Sequence, residues 1–302
     1  MTGIVVLGGI QMDLVALVTR APGTGETVTG RELLTLPGGR GTDQAVAASR
    51  AGGDVAVIGA VGTDRFGTTL RHTLDSCGVD TDLLRTMEGP SGTAHLVVDD
   101  DGVRTGVLLP GANATVTSLD PGDEALIASA HTLLLSLGTP LSAVLDGALV
   151  ARRHGVRTVL TPSPNGPPPP ELLAATDLLV PTAAEARALT GADDTETAAR
   201  ALLDRVPEVV VVLGTAGCLY RARGTGPLTV PAPGGPAGDR TATAVEPRGP
   251  DDAFAGALAV ALGEGTPLPR ALRFATAAAA LRARRPGAAT AMPFRPEIES
   301  AS

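Results

Sequence analysis

The residues best suited to chemistry lie in the stretch VEPRGPDDAFAGAL, residues 245–258. Pro250 and Asp251 are favourable in the first turn of a helix, and the apolar residues after them predict a helix that begins here. Asp252 would then be a carboxylate at a helix start, where free N–H groups attract anions. Because Pro250 has no N–H to donate, the same loop is poorly suited to holding a phosphate.

A second candidate is the glycine-rich stretch PGGRGTDQAVAASRAG, residues 37–52. It places Gly39 and Gly41 before a helix that we expect to begin near Thr42 or Asp43. Glycines there let the backbone approach a ligand closely, and the helix start supplies N–H groups and a polar cap. The same pattern would equally suit a tight turn into a helix with no ligand.

Asp13 is a third candidate, in the stretch GGIQMDL that follows the first predicted strand. If the strand ends at the edge of a sheet where a pocket opens, this carboxylate can accept hydrogen bonds from the hydroxyls of a polyol. The alternative is a carboxylate in a surface turn.

Short apolar runs predict the strands that would position these residues: 3–9, 54–62, 131–138, 156–164, 177–182 and 208–214. Runs that are apolar on both faces suit strands covered by helices on both sides. The stretches between them are amphipathic and end near Gly, as helices often do. The alternation predicts an α/β fold, a doubly wound and mostly parallel sheet flanked by helices.

Residues 13–37 and 92–109 break this rhythm and predict further strands, the second region with an Asp-Gly hairpin turn at Asp101 and Gly102. We expect them to form a small β-sheet that closes as a lid over a pocket at the carboxyl ends of the parallel strands. The loops rich in Pro and Gly are too short to separate independent domains, so residues 1–302 are predicted to be one domain.

The composition excludes several classes of function. A net charge of −8, one Tyr, four Phe and no Trp provide neither the basic surface nor the stacking rings of a nucleic-acid binder. No apolar run approaches the roughly 18 residues of a membrane span, and no basic leader precedes the first strand, so we expect a soluble, cytoplasmic protein. The cysteines and histidines lack metal-binding spacing, which argues against a metal site built by the protein alone.

Taken together, these stretches resemble ribokinase and its relatives in the PfkB-type carbohydrate kinase family. The likeness extends over nearly the whole chain and is carried by GGIQMDL, PGGRGTDQAVAASRAGGDVAVIGAVGTDRFG, LPGAN, VVVVLGTAGC and GPDDAFAGALAVAL. It implies a doubly wound sheet with a β lid. It also implies a kinase that uses ATP, with Mg²⁺ present, to phosphorylate a sugar hydroxyl.

The resemblance assigns roles to individual residues. Asp252 would act as the base, at a helix start that includes Gly249 and whose backbone N–H groups stabilise the γ-phosphate. The residues that would hold the sugar are Asp13, Gly39, Gly41 and Asp43. The nucleotide would be bordered by Gly214 and Gly217, and Glu185 would act through water near Mg²⁺.

The loop before Asp252 departs from the family pattern, which is usually D-T-T-G-A-G-D where this chain has EPRGPDD. Losing the N–H at Pro250 would cost about 10²–10³ in rate, and Asp251 places a negative charge beside an incoming phosphate. Arg248 would either compensate with its positive charge or be a solvated loop residue. Further departures from Asn or Glu lie in the expected pocket, at Gln11, Asp43, Gly138, Thr182 and Thr276.

The resemblance also implies a loop for a monovalent cation. In this chain Glu246 and Arg248 replace Asp and Thr, and Arg282 and Arg284 replace small polar residues. Because basic residues repel a cation, the sequence argues against such a site. The two later arginines also suit a helix C-terminus, where they complement the helix dipole.

Two functions remain open on these grounds. The first is ATP-dependent phosphorylation of a hydroxyl of ribose or a related pentose or nucleoside. The alternative is a catalytically impaired or repurposed ribokinase-fold protein that binds a sugar, nucleoside or other metabolite without efficient phosphoryl transfer, for which Pro250 and Asp251 are the main support. A nicotinamide dehydrogenase fits poorly, because LGGIQMD lacks the GxGxxG spacing. Exposed edges of the lid strands would favour a homodimer through the lid.

Overall fold

The computed structural model describes residues 3–162, 166–234, 249–285 and 287–302. In chain order the strands are β1 (Gly3–Leu7), β2 (Gln11–Leu17), β3 (Glu32–Gly38), β4 (Asp54–Gly62), β5 (Val79–Asp80), β6 (Leu84–Met87), β7 (Gly92–Val98), β8 (Arg104–Leu109), β9 (Thr132–Ser136), β10 (Arg157–Thr161), β11 (Leu178–Leu179), β12 (Glu208–Val212), β13 (Cys218–Ala222) and β14 (Leu228–Val230). The helices are α1 (Arg40–Arg50), α2 (Arg65–Ser76), α3 (Pro121–Ser129), α4 (Leu141–His154), α5 (Pro170–Ala174), α6 (Ala183–Thr190), α7 (Thr195–Leu202), α8 (Gly249–Gly263), α9 (Leu268–Arg282) and α10 (Arg295–Ala301). None of the described helices combines the length and the apolar character that a membrane span requires.

The main sheet has ten strands in the order β14-β13-β12-β11-β10-β9-β1-β4-β5, with β6 also paired to β4. Neighbours from β12 to β5 run parallel, whereas β13 and β14 add an antiparallel edge. This topology confirms the predicted doubly wound, mostly parallel sheet, and all six predicted strands belong to it. Sequence reasoning missed β5, β6, β13 and β14, because these strands are short or mix polar and apolar residues.

The central strands are apolar because helices cover both faces of the sheet. In β1, Ile4 and Val6 belong to one buried cluster, and Val5 and Leu7 belong to another. Successive side chains of a strand point to opposite faces, so each face has its own core. Helices α1, α8 and α9 contribute to the first cluster, and α4, α5 and α7 contribute to the second.

A second sheet of four strands, in the order β3-β2-β7-β8, is the lid sheet. It arises from the two regions in which the sequence predicted extra strands. The predicted hairpin between β7 and β8 is confirmed, since the N–H of Gly102 donates to the carbonyl oxygen of Asp99 (3.0 Å) and Gly102 has a φ of 77°. β2 pairs in parallel with β7, with Asp13 opposite Ala94.

The packing of α8 on α1 places two candidate segments side by side. A Cβ on Gly256 of α8 would lie 2.7 Å from the Cβ of Ala47 and 2.8 Å from the backbone nitrogen of Ala48, both in α1. Only a residue without a side chain allows this approach. The helix that carries Asp252 and the helix that follows the glycine-rich stretch are therefore in direct contact.

The start of α1 corrects one sequence expectation. The helix begins at Arg40, with Gly39 as its N-cap residue, and not near Thr42 or Asp43. Gly39 has a φ of 88°, a conformation that favours glycine, and this turns the chain directly into the helix. Thr42 and Asp43 therefore lie in the first turn and are buried.

Candidate active site

A cavity of about 270 Å³ lies between the lid sheet and the carboxyl ends of the central strands. The loops after β1 and β9, the starts of α1 and α8, and strands of the lid sheet all contribute to its walls. Six of the residues singled out in the sequence line it: Gln11, Asp13, Gly39, Asp43, Gly138 and Asp252. The fold thus brings together candidates from opposite ends of the chain.

Asp252 is fully buried in the first turn of α8 and lines the cavity. Its Oδ1 accepts hydrogen bonds from Arg40 Nε (3.0 Å) and Gln44 Nε2 (2.6 Å). Both donors belong to α1, so the contact between α1 and α8 fixes the orientation of the carboxylate. No donor among the described residues reaches its Oδ2. One oxygen of Asp252 is therefore held by the protein, and the other can accept a hydrogen bond from a ligand.

Sequence reasoning missed both donors to Asp252, namely Gln44 and the more extensively bonded Arg40. Arg40 Nη1 donates to the carbonyl oxygen of Pro162 and lies 4.0 Å from Glu185 Oε1. Burial lowers the pKa of Arg40, but the carboxylates of Asp252 and Glu185, with a smaller effect of Asp251, outweigh burial and leave the pKa raised. The guanidinium is therefore a permanent positive charge among three carboxylates.

The sequence signal for Arg40 was an Arg between the glycines of PGGRG. This signal is weak because all 24 basic residues of the chain are Arg, so an arginine at a given position is not distinctive. Only the fold shows that this one meets a carboxylate more than 200 positions away.

The cavity has a polar wall and a largely apolar wall. On the polar side Asp13 and Asp43 are buried, and Gln11 Nε2 donates to Asp13 Oδ1 at 2.8 Å. The lid sheet contributes the apolar side chains of Ala94, Leu96, Val107 and Leu108, together with the polar side chains of Arg104 and Thr105. Carboxylates accept hydrogen bonds from hydroxyls, and apolar side chains pack against C–H groups. The arrangement suits a small molecule with hydroxyls on one side.

Gly41 packs beneath the cavity and does not line it. A Cβ on Gly41 would lie 2.8 Å from the carbonyl oxygen of Gly9, to which the N–H of Gly41 donates at 2.9 Å. Gly138 meets the same loop, since a Cβ there would lie 2.5 Å from the backbone nitrogen of Gly9. These glycines let the loops after β1 and β9 and the start of α1 meet at one point.

Glu185 lies outside the cavity, in the first turn of α6. Its Oε2 accepts a hydrogen bond from the N–H of Thr182 (2.9 Å), and Thr182 Oγ1 accepts one from the N–H of Glu185 (3.2 Å). This capping box gives both residues a structural role. Through Arg40, Glu185 is also linked to Asp252. Within the described ranges, no three His, Cys, Asp or Glu residues come together in a way that would hold a metal ion.

Gly214 and Gly217 also lie outside the cavity, on either side of a short 3₁₀ turn after β12. Gly214 is exposed and has a φ of 60°. Gly217 has a φ of 106°, and a Cβ there would collide with the carbonyl oxygen of Val230. Gly217 is therefore required by packing against β14, whether or not a nucleotide binds nearby.

A buried arginine lies against the start of α8. Arg282, the last residue of α9, is 2% exposed. A Cβ on Gly249 would lie 2.5–2.7 Å from three atoms of its guanidinium group. Arg282 Nη1 donates to the carbonyl oxygen of Arg285 (2.9 Å), and Nη2 donates to that of Gly287. A buried positive group thus contacts the first residue of the helix that carries Asp252.

The other residues that depart from the family pattern lie in different surroundings. Arg284 is exposed. Thr276 lies inside α9, where its Oγ1 donates to the carbonyl oxygen of Leu272 at 2.7 Å and lies 3.5 Å from Cys218 Sγ. Glu246 and Arg248 lie outside the described residues.

Comparison with known proteins gives one consistent answer. The model of the pfkB family carbohydrate kinases matches residues 1–295. The ribokinase of Haemophilus influenzae is 33% identical over 300 residues, covering 97% of this chain and 95% of that protein. The ribokinase of Bacillus subtilis is 34% identical over 304 residues, covering 99% of each.

Solved structures agree with the sequence relatives. The structure of Arabidopsis thaliana ribokinase complexed with ribose and ATP superimposes with a TM-score of 0.90 at 29% identity, covering 100% of this chain and 99% of that one. Ribokinase from Thermotoga maritima gives a TM-score of 0.87 at 30% identity over 99% of each chain. This chain belongs to the PfkB family of carbohydrate kinases.

Proposed function

We propose that this protein transfers the γ-phosphoryl group of ATP to a hydroxyl of a pentose such as ribose, with Asp252 as the general base. The observation that carries the proposal is the state of this carboxylate. It is buried at the start of α8, faces the cavity, and has one oxygen held by α1 while no described donor reaches the other.

Asp252 would accept the proton of the sugar hydroxyl through Oδ2. A positioned base accelerates proton transfer when it lies within hydrogen-bond reach of the proton that it removes. Arg40 and Gln44 hold Oδ1, so the carboxylate does not have to reorient when a substrate enters. The sugar oxygen would then attack the terminal phosphorus of ATP, the bond from this phosphorus to the bridging oxygen would break, and ADP would leave.

The positive charge for the phosphoryl group would come from the start of α8 and from Arg40. Backbone N–H groups at a helix start stabilise anions, although Pro250 contributes none. The carboxylate of Asp251, which the family pattern lacks, interacts with the guanidinium of Arg40 and helps to raise its pKa. Glu185, next to Arg40, is the carboxylate that would hold Mg²⁺ through water, and Mg²⁺ would supply further neutralisation of phosphate charge.

The shape of the cavity favours a free pentose over a nucleoside. Its volume of about 270 Å³ is just below the range of roughly 300–1,000 Å³ that is typical of ligand pockets, so it suits a small ligand. Its carboxylates suit hydroxyls, and the apolar side chains of the lid, which lie beside Arg104 and Thr105, suit the C–H face of a sugar ring. The similarity to ribokinases, one of them complexed with ribose and ATP, supports the same choice. ATP as a substrate also agrees with a cytoplasmic location.

A second candidate is a sugar-binding protein with impaired phosphoryl transfer. Pro250 and Asp251 in the first turn of α8 are the specific observation that favours it. They remove one N–H donor and add one negative charge at the place where the phosphoryl group would lie. Such a protein would still bind the sugar in the cavity, but its rate of phosphoryl transfer would be low.

Purified protein with ATP, Mg²⁺ and a panel of sugars and nucleosides separates the two candidates. A kinase forms ADP with ribose or a related pentose. Thermal shift with each ligand alone reports binding, because a ligand that binds only the folded state raises the melting temperature. Binding of ribose and ATP without ADP formation would support the impaired protein, and binding of neither would contradict both.

A further inference from the structure

The guanidinium of Arg282 takes no part in the mechanism proposed above, although its position is unusual for an arginine. Arginine is among the residue types that are least often fully buried. Here the donors of a side chain that is 2% exposed are directed at backbone carbonyl oxygens of Arg285 and Gly287. The flat face of the group lies against Gly249, where no side chain intervenes.

The described residues at the end of α9 and just after it, 282–285 and 287, do not fit a bound monovalent cation. Backbone carbonyl oxygens are typical ligands for such a cation, because they replace its hydration shell. The carbonyl oxygens of Arg285 and Gly287 already accept hydrogen bonds from Arg282. A second positive charge in contact with this guanidinium would also be repelled. The family likeness places part of a monovalent-cation loop in this segment, and the structure places a side-chain cation there.

We propose that the guanidinium of Arg282 is a built-in cation beneath the start of α8, and that phosphoryl transfer by this protein needs no added monovalent cation. The inference rests on the proposed kinase function. A fixed positive charge in contact with Gly249 adds to the positive end of the helix dipole. Because the charge is preorganised, it stabilises an anion at the helix start without reorganisation. Arg282 is in this sense a positioning residue for the anion site.

The first test uses the unmodified protein in two salts of equal ionic strength, potassium chloride and choline chloride, so that screening is the same. We expect the rate of ADP formation and the affinity for ADP to be equal in the two salts. A rise of about tenfold or more in either quantity with potassium would overturn the proposal.

The second test removes the charge. Arg282→Ala should lower the rate in choline chloride by about 10²-fold, and added guanidinium or potassium ions should restore part of it. Arg282→Lys keeps a positive charge and should remain independent of potassium. Arg273→Ala is the matched control, because Arg273 is an exposed arginine on the same helix, and it should behave as the unmodified protein does.

A purely structural role for Arg282 gives a different result. If it only caps the C-terminus of α9, Arg282→Ala lowers the melting temperature, and neither cation restores rate or ADP affinity. That outcome overturns the proposal. If Arg282→Ala does not fold, Arg282→Lys and the comparison of salts decide the question. If no ADP forms in either salt, the kinase function fails, and loss and recovery of ADP affinity still test Arg282.

Discussion

The ion pair between Arg40 and Asp252 joins the two helices of the site. Gln44 shares the same carboxylate oxygen, so two donors from α1 hold one acceptor from α8. Removing one partner of a buried ion pair is strongly destabilising, because the other charge is left uncompensated. The pair therefore contributes both to the packing of α1 on α8 and to the proposed chemistry.

Arg40→Ala tests the role of this guanidinium. We expect kcat to fall by about 10²-fold, because a preorganised donor and positive charge are lost. Arg40→Lys should be intermediate, since an ammonium keeps the charge but lacks the planar set of donors that contacts Asp252 and Pro162. Steady-state kinetics with ATP measures both variants. Arg65→Ala, at an exposed arginine, is the control, and an unchanged kcat in Arg40→Ala would contradict the assignment.

At this scale the sequence predicted the carboxylates and missed the two donors to Asp252. Asp13, Asp43 and Asp252 each stand next to a predicted strand end or helix start, so their local context indicated a pocket. The local sequence does not distinguish Arg40 in the same way, because all basic residues of the chain are Arg. Its importance comes from a contact between segments that only the fold brings together.

At the level of elements, the first turn of α8 limits the proposed reaction. Pro250 is favourable for helix formation and unfavourable for binding phosphate, because it lacks an N–H. Asp251 likewise suits the helix dipole and opposes an incoming anion. The same two residues therefore stabilise the helix and weaken the anion site.

The double substitution Pro250→Ala with Asp251→Gly should raise kcat. If the lost N–H is the main defect, the gain is about 10²–10³-fold, the usual effect of one such donor. Initial rates of ADP formation with ribose measure it. Pro121→Ala, at the first position of α3, is the matched control and should change nothing. No gain in the double variant would mean that the pocket serves different chemistry.

The helices and strands could be predicted where their burial leaves a clear apolar pattern in the sequence. Strands that are covered on both faces can be identified in the sequence as apolar runs, and the helices between them end near glycines. β13 and β14 have no such run, because β13 mixes polar and apolar residues and β14 has only three residues. The start of α1 was misplaced because Gly39, in its left-handed conformation, shortens the turn before the helix.

At the level of the whole molecule, the lid sheet leaves apolar side chains on both of its edge strands. Leu33 on β3 is 66% exposed, and Val107 on β8 is 60% exposed, next to the exposed Leu108 and Leu109. Edge strands offer unpaired N–H and C=O groups to another chain. We propose that two copies associate through their lid sheets.

Analytical ultracentrifugation tests this association. We expect the unmodified protein to sediment as a dimer and Leu33→Asp or Val107→Asp to shift it towards the monomer. Leu149→Asp, at an exposed leucine on α4, should leave the dimer intact. A monomer at every concentration of the unmodified protein would rule out the lid interface.

The most direct test of the account is the rate of ADP formation from ATP and ribose by the unmodified protein and by Asp252→Asn. An amide keeps the shape of the side chain and removes its ability to take a proton. We expect the unmodified protein to form ADP in response to ribose, and kcat to fall by about 10²–10⁴-fold in the variant, with ribose and ATP still raising its melting temperature. Equal rates in the two proteins would contradict the role of Asp252.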